Sequence, residues 1–424
     1  MKFTPYKGLR VVDLTDVWAG PMAASFLGDL GADVIRVESS SRPAILRPTA
    51  STPTMKGFLD DDPSAQPLWE RSIRNYTPNR DKRGIALDLK EPAGREILDR
   101  LIARADVLLE SYASGVVEKL GFGWERISNL NPRLIMISMS GWGDGGPYHG
   151  YRTMGSGIDA TTGHVHLRGY RDTDVTRTVQ AYQSDAAAAS AALFAVGVSL
   201  RQRKRTGRGS WVDMAQAEVL MAHMPTPFLA EAYGLAEATP LENQHPVHVP
   251  FNCYPCQGED RWIQICVQSQ EQWLALCEVL APSLRDDPRF GSPEARLANR
   301  GAVDLAVADL TRGRDSLELQ NELQSTGVPA GAVYNQAQVA NDRHLNARGF
   351  FERRPHSIAG ERVYPGFSWR VDGEYDRAER SSNLLGEHNR EVLLELGYSP
   401  AETDQLSASR VIGDSFQHLM VQED

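Results

Sequence analysis

The sequence predicts an α/β protein, with a large domain built on a parallel sheet and a smaller α/β second domain after it. Three observations predict this. Short β-branched runs alternate with amphipathic stretches through the first half of the chain, as expected for strands buried on both faces and joined by crossover helices. Near the N-terminus a strand, a helix and a second strand follow closely, which implies a right-handed βαβ crossover. Between Pro225 and Pro250 the composition shifts to five prolines and one glycine, the mark of a linker.

Taken in order, Leu9 to Leu14 (LRVVDL) is the first buried strand. Ala19-Gly20-Pro21 turns the chain into a helix over Met22 to Leu30, closed by Gly31, and Asp33 to Glu38 (DVIRVE) is the second strand. Ser39 to about Thr77 has no clean period and carries five prolines, so a long surface excursion is expected. Alternation resumes with a strand at Ile85–Leu89, a helix at Pro92–Ala105 and a strand at Val107–Leu109. A helix around Val116–Leu120 and a buried strand at Leu134–Met139 come next. Ala186–Leu200 is Ala-rich and helical, and Gly209–Ala215 returns as a strand.

Beyond the linker come a strand at Trp262–Val267, a helix at Glu271–Leu280 and further helices to about Gln324. The expected organisation is residues 1–224 for the first part of the large domain, 225–332 for the linker and small domain, and 333–424 for a return segment completing the large one. A chain of 424 residues exceeds a single ordinary core.

With 41% hydrophobic and 24% charged residues, the chain has the balance of a globular protein. A net charge of −10 argues against nucleic acid and anionic membranes as partners. The basic run Arg201–Arg208 ends a helix-like stretch, where cations complement the negative end of the helix dipole. No apolar run approaches the roughly 18 residues of a membrane span, and the opening MKFTPYKGLR lacks the apolar core of a signal peptide. Four cysteines are too few for a disulfide framework. Cys253 and Cys256 form a C-x-x-C without a second pair at metal-site spacing, and Cys266 and Cys277 sit in apolar runs as small buried residues. A cytoplasmic protein without a metal or a tightly bound cofactor is expected.

Two places carry candidate chemistry. The first βαβ unit, ending in Glu38, imitates a dinucleotide site whose terminal acid grips a ribose. Its turn, however, is Val17-Trp18-Ala19-Gly20-Pro21 and not G-x-G-x-x-G, and Pro21 removes an amide that a phosphate would use. An oxidoreductase is therefore the weaker reading. Asp185 follows Tyr182-Gln183-Ser184 and opens the Ala-rich helix. It reads as an N-cap aspartate, or as a nucleophilic carboxylate kept ionised by the helix dipole.

Six collinear segments resemble the class III CoA-transferases, the CaiB/BaiF family: GLRVVDLTDVWAGPMAASFLGDLGADVIRVE, NRDKRGIALDLKEPAGREILDRLIARADVLLESY, GVVEKLGFGWERISNLNPRLIMISMSGWGDGGPY, TGRGSWVDMAQAEVL, GVPAGAVYNQAQVANDRHLNARGFF and LLGEHNREVLLELG. The resemblance runs from near residue 7 to about residue 398. It implies a Rossmann-like large domain, a smaller second domain and an interlocked homodimer. It also implies that acyl-CoA and a carboxylic acid are the substrates, and that Asp185 is the catalytic residue, passing through a mixed anhydride and an aspartyl-CoA thioester.

The resemblance assigns further residues. Trp18, with Ala19 beside it in VWAGP, matches a substrate-contacting position, where tryptophan would wall the pocket. Leu87 and Lys90 match positions at the adenine and phosphate end of CoA, and Tyr112 and Lys119 an aromatic and a basic CoA contact. For Lys90 and Lys119 a solvated surface lysine is the alternative. Asp159 matches an acidic residue near the catalytic centre, with a helix-start cap as its alternative. Ser39 stands where many members have arginine, so part of the phosphate grip must come from elsewhere. The small domain lacks the glycine run of some formyl-CoA-type transferases, which argues against oxalate or formate.

Related 2-methylacyl-CoA racemases use a G-H-D triplet. Here it is Gly157-Ile158-Asp159, and isoleucine cannot exchange a proton. His164 and His166 are out of register. The racemase stays as the alternative activity. A non-catalytic CoA-binding relative would have lost the aspartate. Trp18, Ile158 and Tyr182 suggest an apolar pocket for a branched or aromatic acyl chain.

Overall fold

A computed structural model describes residues 3–49, 67–179, 181–235, 240, 242–373 and 379–416. The middle of the 39–77 excursion and part of the 225–250 linker therefore lie outside the described residues. The chain forms two compact units: Met1–Thr162 with Gln180–Ala232 and Ala347–Asp424, and Gly163–Val179 with Tyr233–Asn346. Against the expected boundaries at 225 and 333, the second unit opens at Tyr233, closes at Asn346, and takes in residues 163–179 with His164 and His166.

In the first unit six strands form one sheet: β1 Arg10–Asp13, β2 Asp33–Ser39, β3 Lys82–Leu87, β4 Val107–Glu110, β5 Ile135–Ser138 and β6 Ser210–Asp213. Their spatial order is β3-β2-β1-β4-β5-β6, and every pairing is parallel. This is the doubly wound dinucleotide-fold order. Because side chains alternate between faces, Val12, Ile35, Leu108 and Met136 form one core with Ile97, Leu98 and Leu101 of α2 (Pro92–Ala103). Val11, Val34, Leu109 and Ile137 form the other, with the alanines of α1 (Ala19–Asp29) and of α4 (Gln183–Thr206). Between α2 and α4 in sequence lies α3, Gly155–Thr161.

Several boundaries move for identifiable reasons. Helix α1 starts at Ala19, three residues before Met22, since Pro21 falls in the first turn, where a missing N–H costs nothing. Strand β3 starts at Lys82 and not Ile85, because Lys82 and Arg83 are buried through ion pairs to Asp13 and Asp33. Their polarity hides the strand from a hydrophobic pattern. The excursion after Ser39 is not all surface. Arg47 is fully buried between Glu38 and Glu70.

One 18-residue window of α4 is apolar enough for a membrane span, contrary to the sequence expectation. The helix instead packs Ala188, Ala189, Ala192 and Val196 into the second core. At its C-terminal end Arg203 pairs with Asp106 at 2.9 Å, and Arg203, Lys204 and Arg205 occupy the last turn.

The second unit has a three-stranded antiparallel sheet, β7 Phe251–Pro255, β8 Trp262–Cys266 and β9 Ala330–Ala332. Tyr254, Ile263 and Ile265 pack against Trp273, Leu276, Val303, Val307 and Leu319 from the helices Gln270–Leu280, Arg300–Thr311 and Ser316–Ser325. Cys277 is buried, as its apolar run predicts, whereas Cys266 is only half-buried.

Candidate active site

In a sheet of this order the chains leaving β1 and β4 diverge, opening a crevice at the C-terminal strand ends. A cavity of about 1040 Å³ lies there. Its walls come from the segments after β1 (Leu14–Ala19), β2 (Glu38–Arg42), β3 (Leu87–Lys90) and β4 (Ser111–Ala113), and from the approach to α3. Asp185 reaches it from the start of α4. Of the residues singled out in the sequence, Trp18, Ala19, Leu87, Lys90, Tyr112, Ile158 and Asp185 line this cavity.

Asp185 is the third residue of α4, not its cap. The N-cap is Tyr182, in the left-handed region at φ 50. The amides a cap would satisfy go elsewhere. The buried Asp159 carboxylate accepts Gln183 N–H at 3.4 Å and Ser184 N–H at 3.2 Å. Asp159 sits well inside α3, so it caps α4 and not the start of its own helix.

Asp185 is 7% exposed, and the backbone N–H groups of Ala19 and of Asp185 itself lie near enough to its carboxylate to favour the charged form. Burial pushes its pKa up to about 6, and the Asp159 charge adds to this; the two amides pull the other way. The helix start therefore does not keep the group fully ionised by itself, since burial outweighs it. Even so, at pH 7 the carboxylate form exceeds the acid by about tenfold. Gly155 makes room for it, because a Cβ there would lie 2.0 Å from Oδ2 of Asp185.

The loop that supplies Ala19 is strained. Val17 is left-handed at φ 69, an outlying conformation for a β-branched residue that costs on the order of 1–3 kcal/mol. Its N–H is held by Oδ1 of Asp16 at 2.8 Å, and Asp16 N–H by Ser111 Oγ at 3.2 Å. Trp18 meets Tyr182 edge to face, with centroids 5.5 Å apart. The two left-handed residues thus stand just before Ala19 and Asp185, one on each loop.

Charge on the walls is uneven. Arg42, Lys90 and Arg152 line the cavity, and none forms a salt bridge among the described residues. Sequence reasoning passed over Arg42 and Arg152. Arg42 had a signal, as the first cation after Ser39, where an arginine was missed. Lys119 is exposed on the short helix Val116–Lys119 and does not line the cavity. Glu38 faces the cavity, but Arg47 binds its two oxygens at 2.6 and 3.0 Å, and Arg36 pairs with it at 3.0 Å. An acid so engaged has no free oxygen for a ribose, which removes the strongest support for a dinucleotide site. Among the described residues no His, Cys, Asp or Glu cluster could hold a metal ion.

Residues 6–389 match the family described as CoA-transferase family III. The succinyl-CoA–D-citramalate CoA-transferase of Chloroflexus aurantiacus is 31% identical over 416 residues, covering 96% of this chain and 98% of that protein. A longer Mycobacterium tuberculosis protein, named a probable CoA-transferase, is 30% identical over 419 residues, and the chain spans 50% of its length. The crystal structure of a CaiB/BaiF family protein from Brucella suis superposes with a TM-score of 0.79 at 29% identity, covering 93% of this chain and 100% of that one.

Proposed function

The chain belongs to CoA-transferase family III, and from that premise we propose that it moves coenzyme A from an acyl-CoA thioester to a free carboxylic acid through Asp185. The observation that carries the reading is the Asp185 carboxylate, buried near the Ala19 amide at the wall of a cavity open at the C-terminal ends of the strands.

In this reading an Asp185 oxygen attacks the thioester carbonyl, the C–S bond breaks and CoA leaves as the thiolate, forming an acyl-aspartyl anhydride. The thiolate attacks the aspartyl carbonyl carbon, releasing the first acid as its carboxylate and leaving an aspartyl-CoA thioester. The acceptor carboxylate attacks that carbon and expels the thiolate. The thiolate then attacks the acceptor's acyl carbon, which frees Asp185 and the new thioester. No net proton is consumed, and covalent steps replace one exchange between two poor partners. A burial that excludes water keeps the anhydride for the thiolate.

Arg42 and Lys90 supply cations for the CoA phosphates, the role for which Ser39 has no charge. Trp18 and Ile158, both lining the cavity, support a branched or aromatic acyl group; equal turnover of succinate-sized and bulky acids overturns that choice. A homodimer is supported by the apolar side chains of Phe194 and Val198, which a single chain leaves 73% and 50% exposed on α4. Four free thiols support a reducing, cytoplasmic setting.

The test is intact-mass analysis after incubation with a panel of acyl-CoA esters. A hydroxylamine-labile CoA or acyl adduct on Asp185, absent from Asp185→Ala, is the expected result. Solvent deuterium entering the α-carbon of a 2-methylacyl-CoA without any adduct overturns it in favour of racemisation.

A further inference from the structure

A buried cation outside the cavity is bonded to both ends of the loop that brings Ala19 to the cavity wall. Lys82, on β3, is fully buried, and its ammonium donates to Asp13 Oδ2 at 2.8 Å, Pro21 carbonyl at 2.9 Å and Asn79 Oδ1 at 3.0 Å. It does not line the cavity. Burying an ammonium is costly, and a buried ion pair replaced whole by apolar residues is often no less stable. The ion pair therefore needs another explanation.

The acceptors supply one. Asp13 ends β1 and Pro21 lies in the first turn of α1, so Lys82 clamps both ends of the segment that contains Val17, Trp18 and Ala19. The other oxygen of Asp13 accepts Thr15 N–H at 3.0 Å and Thr15 Oγ–H at 2.5 Å. Thr15 in turn lies against Gly20, where an added Cβ would meet it at 2.3 Å. The ammonium thus joins Asp13 to Pro21, and Thr15 closes the loop between them by bonding Asp13 and abutting Gly20. A left-handed valine persists only where its surroundings over-determine it, and this closure is the over-determination.

We infer that Lys82, acting through Asp13 and Thr15, is a positioning residue that keeps Ala19, with its amide, beside Asp185 in the cavity wall. The inference rests on the reading of Asp185 as the nucleophile. Thr15→Val keeps the shape of Thr15 but removes its hydroxyl bond to Asp13, and Thr15→Ser restores that bond. Lys82→Met removes the clamp itself.

The experiment measures kcat, KM and the pH dependence of kcat/KM, with thermal unfolding as the control for folding. In folded Thr15→Val we expect kcat to fall about tenfold through lost orientation, with KM for acyl-CoA near the parent value. The acid limb rises by about half to one pH unit as Asp185 loses an anion-stabilising donor, and Thr15→Ser returns both to the parent. Lys82→Met, where it folds, shows the larger change of the same sign. A folded Thr15→Val with parental kcat and an unmoved acid limb overturns the inference, whatever Lys82→Met does. If that happens while Asp185→Ala still abolishes the adduct, only the positioning role fails. If Asp185→Ala keeps both adduct and transfer, the nucleophile reading fails first.

Discussion

The carboxylate of Asp159 accepts the backbone N–H of Ser184 at 3.2 Å, one residue before Asp185. A single buried acid therefore satisfies the start of the helix that carries the proposed nucleophile, and its charge opposes ionisation of that nucleophile. In Asp159→Asn the amide oxygen still accepts a helix N–H, but the charge is gone. We expect the acid limb of kcat/KM, centred near the Asp185 value of about 6, to move down by several tenths of a pH unit. Matched pH–rate profiles of parent and variant check this; coincident limbs would mean that the Asp159 charge does not reach Asp185.

Asp185 also sets a trade between activity and stability. Its pKa is raised from 3.8 to about 6, so the folded state binds this proton more tightly than the unfolded chain. The fold gains from the site while the proton is bound, and that gain is lost as pH rises through about 6. Asp185→Asn, uncharged at every pH, should be more stable than the parent at pH 7.5 by on the order of 2 kcal/mol. The difference should vanish near pH 4. Calorimetry at both values decides it, and a parent that is the more stable at pH 7.5 contradicts the burial argument.

Gly155→Ala tests the space behind the carboxylate. The added methyl carbon would stand 2.0 Å from Oδ2 of Asp185 and 3.4 Å from Ser184 Oγ. The carboxylate must rotate away, so we expect a loss of about 10²-fold in kcat with a stability cost of about 1–3 kcal/mol. Steady-state kinetics alongside denaturant unfolding separate the two effects. Unchanged kcat would show that Asp185 does not need this rotamer.

The CoA end is tested by contrast. Arg42 lines the cavity and Lys119 does not. Arg42→Ala should raise KM for acyl-CoA about tenfold, with a smaller effect at high salt, since a charge-assisted phosphate contact is worth about 1.5–3 kcal/mol. Lys119→Ala should leave KM within about twofold. Initial rates at two ionic strengths check both, and the reverse pattern would return the phosphate grip to Lys119.

Buried hydrophobic runs made most of the architecture legible. LRVVDL and LIMISM mark β1 and β5 closely, because a strand covered on both faces must be apolar throughout. The start of β3 stayed hidden, since Lys82 and Arg83 are buried by charges on β1 and β2 that no local pattern reveals. The same limit hid Arg47, whose partners Glu38 and Glu70 lie on either side of it in sequence. At the site, Asp185 was visible as an acid opening an Ala-rich helix, with cap and nucleophile left undecided.

By itself the sequence determined the family, the parallel sheet and the identity of the candidate carboxylate, because period, turn residues and collinear motifs are properties of neighbouring positions. Only the tertiary structure decided that Tyr182 and not Asp185 is the cap, that Asp159 serves α4 and not its own helix, and that Glu38 is consumed by Arg36 and Arg47. It also decided the ionisation of Asp185. That depends on how deeply the chain buries the group and which distant amide, here Ala19, comes to meet it. Desolvation and charge act through space, and the chain order does not encode those distances.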